Sequence, residues 1–131
     1  MIRPATLADI PEVFRMAEEL GRVTGIPVAL DYPTTVARLA AIIEHGFAWV
    51  GDGAFLVGEV GSSPFGAEPI AIEHGWYCER PGQGLALLRR FEAWAAERGC
   101  ARIRMTTGET GSARHLLARL GYRPVETAWV R

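Results

Sequence analysis

The run Glu79-Arg80-Pro81-Gly82-Gln83-Gly84 stands between residues of strand character and residues at helical spacing. Upstream, Ile70, Ala71 and Ile72 lead into Trp76, Tyr77 and Cys78, an apolar and aromatic run suited to a strand. Downstream, from Leu85 on, Leu87, Leu88, Phe91, Trp94 and Ala95 share one helical face, and the charged residues lie largely elsewhere. A helix that begins at a glycine turn presents its first amide N–H groups and the positive end of its dipole, an arrangement suited to a phosphate or pyrophosphate. Glycines also serve such turns for backbone reasons alone. The order of the surrounding elements has to decide between the two.

Few other side chains in this region could do chemistry. Glu73 is a carboxylate with Ile70, Ile72 and Trp76 nearby, a setting that raises a carboxyl pKa toward the range a general base needs; a surface-facing strand residue is the plain reading. His74 has a suitable intrinsic pKa but adjoins Glu73 and so points to the opposite face. Cys78 has no histidine placed in sequence to activate it and reads as a strand thiol.

Composition narrows the class. The 131 residues suit one domain, 1–131, with a single core. Hydrophobic residues make up 49% and charged residues 22%, the balance of an ordinary globular chain. Net charge is −1 with the arginines scattered, which gives no footprint for nucleic acid. No span of 18 apolar residues and no leader pattern is evident, and two cysteines in apolar context read as reduced thiols, so a cytoplasmic, membrane-free setting is expected. No metal site is expected.

The chain divides into short elements. Ile2–Ala5 is an edge-type strand. A helix capped by Thr6 buries Ile10, Val13, Phe14, Ala17 and Leu20 and stops at Gly21. A looser segment, Thr24 to Pro33, precedes a helix from about Thr34 to His45. Phe47–Val50, the Gly51-Asp52-Gly53 turn and Ala54–Val60 form a hairpin. The strand of Ile70–Cys78, its glycine turn and helix follow, and then a strand from Ala101 to Thr107. A short helix with Leu116, Leu117 and Leu120 and a last strand from Tyr122 to Val130 complete the order β-α-α-β-β-β-α-β-α-β. That order predicts an α/β fold with a mixed, mostly antiparallel sheet of about six strands and helices on both faces. Trp49, Phe55, Phe91 and Trp94 read as core.

The order, with IRPATLADIPEVFRMAEEL at the start, FEAWAAERGCARIRM in the middle and ARHLLARLGYRPVE near the end, resembles the GNAT superfamily of acetyl-CoA-dependent N-acyltransferases over essentially the whole chain. Among its members the chain looks most like small bacterial and phage-encoded ones, with Trp76-Tyr77-Cys78 ending the fourth strand. The resemblance implies transfer of an acetyl group from acetyl-CoA to an amine of a small molecule or peptide. It aligns the pyrophosphate loop, Q/R-x-x-G-x-G/A in the family, with Glu79 to Gly84. Gly82, Gln83, Gly84 and Leu85 would then offer backbone N–H groups and Arg80 a charge. The backbone of Trp76, Tyr77 and Cys78 would pair with the pantetheine arm, and Thr110, where the family has Asn, would bond the cofactor. Glu73 takes the place of the family's strand glutamate, the general base, with Glu68 as the alternative if the loop is of normal length. The acceptor would approach past Asp31, Tyr32 and Trp76, and Asp31 would favour a cationic amine, although a cap or turn role explains Asp31 as well.

This sequence also departs from the family pattern. Glu79 stands where Gln or Arg is usual, Pro81 removes a donor, and the loop is about four residues short. The tyrosine that usually serves as general acid is replaced by Leu117, with His115 and Ser112 as weak substitutes. These departures also describe a fold of this kind that has lost catalysis and binds a ligand or a protein partner. The last strand can also pair with, or exchange into, a second copy to make a homodimer.

Overall fold

The computed structural model of the chain describes residues 1–25, 29–109 and 111–131. Strands β1 (Arg3–Pro4), β2 (Phe47–Gly51), β3 (Ala54–Gly61), β4 (Ile70–Cys78) and β5 (Arg102–Arg104) form one sheet in sequence order. The first three pairings are antiparallel and β4–β5 is parallel, as the hairpin and crossover lengths require. Helices α1 (Ile10–Thr24) and α2 (Tyr32–His45) cover one face. Helix α3 (Gln83–Glu97) covers the other, and a shorter α4 (Ser112–Arg119) follows β5.

Alternation along the strands divides the core in two. Val50, Phe55 and Val57 meet Ile10, Val13, Met16, Leu39 and Ile42 on the α1/α2 side. Phe47, Ala54, Leu56 and Ala71 meet Leu87, Phe91 and Ala95 on the α3 side. Trp49 and Trp94 border the second cluster with arginines over their rings, Arg90 at 4.7 Å and Arg98 at 5.2 Å. Gly58 is what lets Phe91 reach the sheet. A Cβ at Gly58 would stand 2.6 Å from the Ile72 carbonyl oxygen and 2.8 Å from the Phe91 ring. Gly58→Ala is therefore expected to destabilise the fold by about 2 kcal/mol, read as a lower urea midpoint at unchanged slope.

Helix boundaries differ from the sequence expectation where caps decide them. Helix α1 runs through Gly21 to Thr24 because the left-handed residue that ends it is Gly25, φ 70°. A single 3-10 turn, Leu7–Asp9, precedes it, and Asp9 there accepts the Thr6 N–H at 2.8 Å and a two-pronged bond from Arg3. Helix α2 starts at Tyr32, two residues early, because Asp31 is its N-cap and accepts the Thr34 N–H at 2.9 Å. Asp31→Ala should lower the melting temperature, and Asp31→Asn, which keeps the acceptor, should leave it near the wild-type value.

Among the described residues the sheet has five strands, one fewer than the sequence suggests. Tyr122–Val130 forms no strand. Pro124 lacks a donor, and among the described residues no backbone hydrogen bond engages 123–131. Val125, Trp129 and Val130 are exposed there. Among the described residues, no helix is long and apolar enough to cross a membrane.

Candidate functional site

Strand β4 carries an extra residue. Val57 pairs with Gly75 and Gly58 with Glu73, so His74 bulges out of the ladder. The bulge reverses the alternation of side chains. Glu73, opposite Gly58, lies on the α3 face with Ala71, and beyond the bulge Trp76 and Cys78 lie on that same face. Without the bulge, Glu73 and Trp76 would point to opposite faces. His74 is turned the other way and bonds Glu59 at 2.9 Å, so it belongs to the outer surface near Arg38 of α2.

Beside the bulge the sheet divides. The parallel ladder of β4 and β5 ends at the Ile72–Arg104 pair. The next inward N–H on the β5 side, that of Thr106, donates at 2.8 Å to the Glu73 carboxylate and not to strand backbone. That is why β5 stops at Arg104 and does not run on to Thr107. Among the described residues Glu73 is the buried charged one, at 6% exposure. Burial pushes its carboxyl up to about 7, against the opposing pull of the Thr106 N–H. Glu68, the alternative carboxylate, is exposed in the loop before β4.

The other half of the site is the start of α3. Gly82 has φ 98°, which a side chain would resist, and the first intrahelical bond to its carbonyl comes from Ala86. The N–H groups of Gln83, Gly84 and Leu85 therefore point outward from the helix end with no intrahelical partner. Trp76 braces this turn by donating its indole N–H to the Gly84 carbonyl at 3.0 Å. A Cβ at Gly84 would sit 3.5 Å from the Cys78 Cβ and 3.6 Å from that indole nitrogen, which is ordinary contact. The Cys78 thiol is half-buried against the Arg80 carbonyl.

The charge of Glu79 is dealt with locally. Its carboxylate turns away toward α1, where Arg15 binds it at 2.8 Å, and its N–H donates to the Gly53 carbonyl at 2.8 Å. Arg80 pairs with Asp52 in the β2–β3 turn. The Gln83 side chain also reaches that turn, accepting from the Asp52 N–H at 2.9 Å and donating to the Asp52 carbonyl at 3.2 Å. Sequence reading missed Asp52 and Arg15. The Asp-Gly turn is visible in the sequence, but nothing local says which loop it will meet.

The remaining expected residues are spread more widely. Tyr77 lies on the α1/α2 face against Phe55, and burial pushes its phenol up. Tyr32 packs edge-on against Phe14 with ring centroids 5.0 Å apart, and Asp31 is committed to its cap. Both lie at the start of α2, on the opposite side of the sheet from α3. Thr110 falls outside the described residues. Leu117 is buried in α4, His115 is exposed, and the half-buried Tyr122 gives its phenolic proton to Glu92 at 2.9 Å. A cavity of about 300 Å³ lined by Glu92, Cys100, Ile103 and Tyr122 lies at the far end of α3, away from Gly82.

Comparison with protein-family models finds no match, and comparison with curated proteins finds none. Solved structures do match over the whole chain. A GCN5-related N-acetyltransferase from Ralstonia eutropha superposes with TM-score 0.77 at 25% identity, covering 100% of this chain and 97% of that one. A protein of Clostridium acetobutylicum, described as a predicted acetyltransferase and solved with acetyl-CoA, gives 0.80 at 17% identity, covering 100% and 94%. A Bacillus halodurans protein described as a transcriptional regulator gives 0.78 at 21% identity, covering 100% and 97%. The last two likenesses are of fold.

Proposed function

We propose, for a chain with the fold of the GCN5-related N-acetyltransferases, an acetyl-CoA-dependent transfer of an acetyl group to an amine of a small molecule or peptide. The observation that carries this reading is the division of the sheet after Ile72–Arg104, with buried Glu73 at its inner end and the α3 N-terminus at its mouth. From Glu73 to Cys78 the β5-facing edge of β4 has no strand partner among the described residues. An extended amide-containing arm fits such an edge. Gln83, Gly84 and Leu85 would hold the pyrophosphate through their N–H groups, with Gly82 setting the turn and Arg80 adding charge. Thr110 is proposed for the same ligand. When bound, acetyl-CoA supplies an activated acetyl thioester.

Glu73 takes the amine's proton in this proposal. A carboxyl near 7 is partly ionised at neutral pH, yet basic enough to receive a proton there; at 4.5 it would be a weak base. Asp31 and Tyr32 are proposed for the acceptor side. Leu117 offers no proton to the departing thiolate, and Tyr122 is held by Glu92, so water supplies it. Leu117 also motivates a second reading, a fold that binds the same ligand or a partner protein without turnover. A thiol-release assay over a panel of amines separates the two. Release with one amine class supports the transferase, and acetyl-CoA binding without release from any amine supports the binding module.

A further inference from the structure

The loop between β4 and α3 grips the β2–β3 turn at several points. Glu79 N–H donates to Gly53, Arg80 pairs with the Asp52 carboxylate, and the Gln83 amide answers both backbone groups of Asp52. The Gln83 side chain lies flat on the turn, and a Cβ at Gly51 would stand only 1.8 Å from its Oε1. An amide that satisfies the N–H and the carbonyl of one residue does the work of a strand neighbour. Asp52 is thus fixed by its backbone, and its carboxylate is carried to the mouth of the α3 N-terminus. There it meets Arg80, the basic residue of the Glu79–Gly84 loop. Glu79, the other acid in reach, is held by Arg15 and does not compete.

We propose that Asp52 is a built-in anion that competes with the phosphates of the cofactor for Arg80 and so sets how tightly acetyl-CoA is held. This rests on the reading of the α3 N-terminus as the pyrophosphate cradle. Before binding, the carboxylate neutralises the arginine; on binding, Arg80 exchanges it for a phosphate oxygen, and Asp52 is left facing an anion. Both partners are exposed, Arg80 at 67% and Asp52 at 66%, so each stays hydrated through the exchange and the effect is several-fold. Two features of the fold keep the competitor in place: the Gln83 clamp and a glycine at 51 that leaves room for it.

The test is calorimetric titration of the wild type, Asp52→Asn, Arg80→Gln and the double variant with acetyl-CoA at low and high salt. Asp52→Asn should tighten binding about 3-fold at low salt, and the gain should shrink at roughly 0.5 M salt, where exposed charges are screened. Arg80→Gln should weaken binding, and Asp52→Asn should add little in that background. A purely structural role for the pair gives the opposite sign, because losing it loosens the cradle. Wild type that binds while Asp52→Asn binds equally or more weakly overturns this inference and leaves the cradle standing. Folded wild type that does not bind overturns both.

Discussion

Glu73→Gln should stabilise the protein at pH 8 while lowering acetyl transfer by about 100-fold or more. The two effects have one cause. In the folded chain the Glu73 carboxyl keeps its proton up to about pH 7, whereas its ordinary value is 4.5. Between those values the folded state binds more protons than the unfolded one, so stability falls as pH rises through this window. Above it, the fold carries a buried carboxylate whose cost is on the order of 3 kcal/mol. Glutamine keeps an acceptor for the Thr106 N–H and never ionises. The gain in melting temperature should therefore be large at pH 8 and nearly absent at pH 4, where the wild-type carboxyl is protonated in both states. The wild-type rate should follow the other form of the same group, rising from pH 6 to 8 as the base ionises. A melting difference independent of pH would mean that Glu73 is not the titrating group.

Gly84→Glu should abolish acetyl-CoA binding, a loss of about 100-fold or more, without loss of folding. The backbone accepts a side chain there, because a Cβ at Gly84 makes only ordinary contacts with Cys78 and Trp76. A carboxylate in the first turn of α3 also suits the helix dipole, so the melting temperature should hold or rise. The same carboxylate lies where the proposed pyrophosphate would, and like charges in direct apposition cost several kcal/mol. Gly84→Ala separates charge from size and should bind far better than the glutamate variant. Equal binding by wild type and Gly84→Glu would remove the helix end from the site.

Much of the fold was legible because local signals agreed. The spacing of Ile10, Val13, Ala17 and Leu20, the hairpin around Asp52-Gly53, and the change from strand to helix at Gly82 each had one physical reading, and the structure has them all. What was not legible depended on partners distant in sequence. The extra residue at His74 is set by the register of β3, and no residue type announces it. The end of β5 depends on a side chain 33 positions away, Glu73, taking the Thr106 N–H. The element order places a last strand at Tyr122–Val130, but among the described residues no neighbouring strand pairs with it. At the site, the glycines, Arg80 and Glu73 were visible as chemistry. The fate of the Glu79 charge was not, because it is settled by Arg15, 64 positions away on α1.

The most direct measurement is calorimetric titration of the purified wild-type protein with acetyl-CoA. Saturable binding in the micromolar range, one ligand per chain and weakened by salt, is the expected result. A folded protein that takes up no acetyl-CoA at millimolar concentration would contradict the cradle, the role of Glu73 and the transferase together, and would leave only the fold.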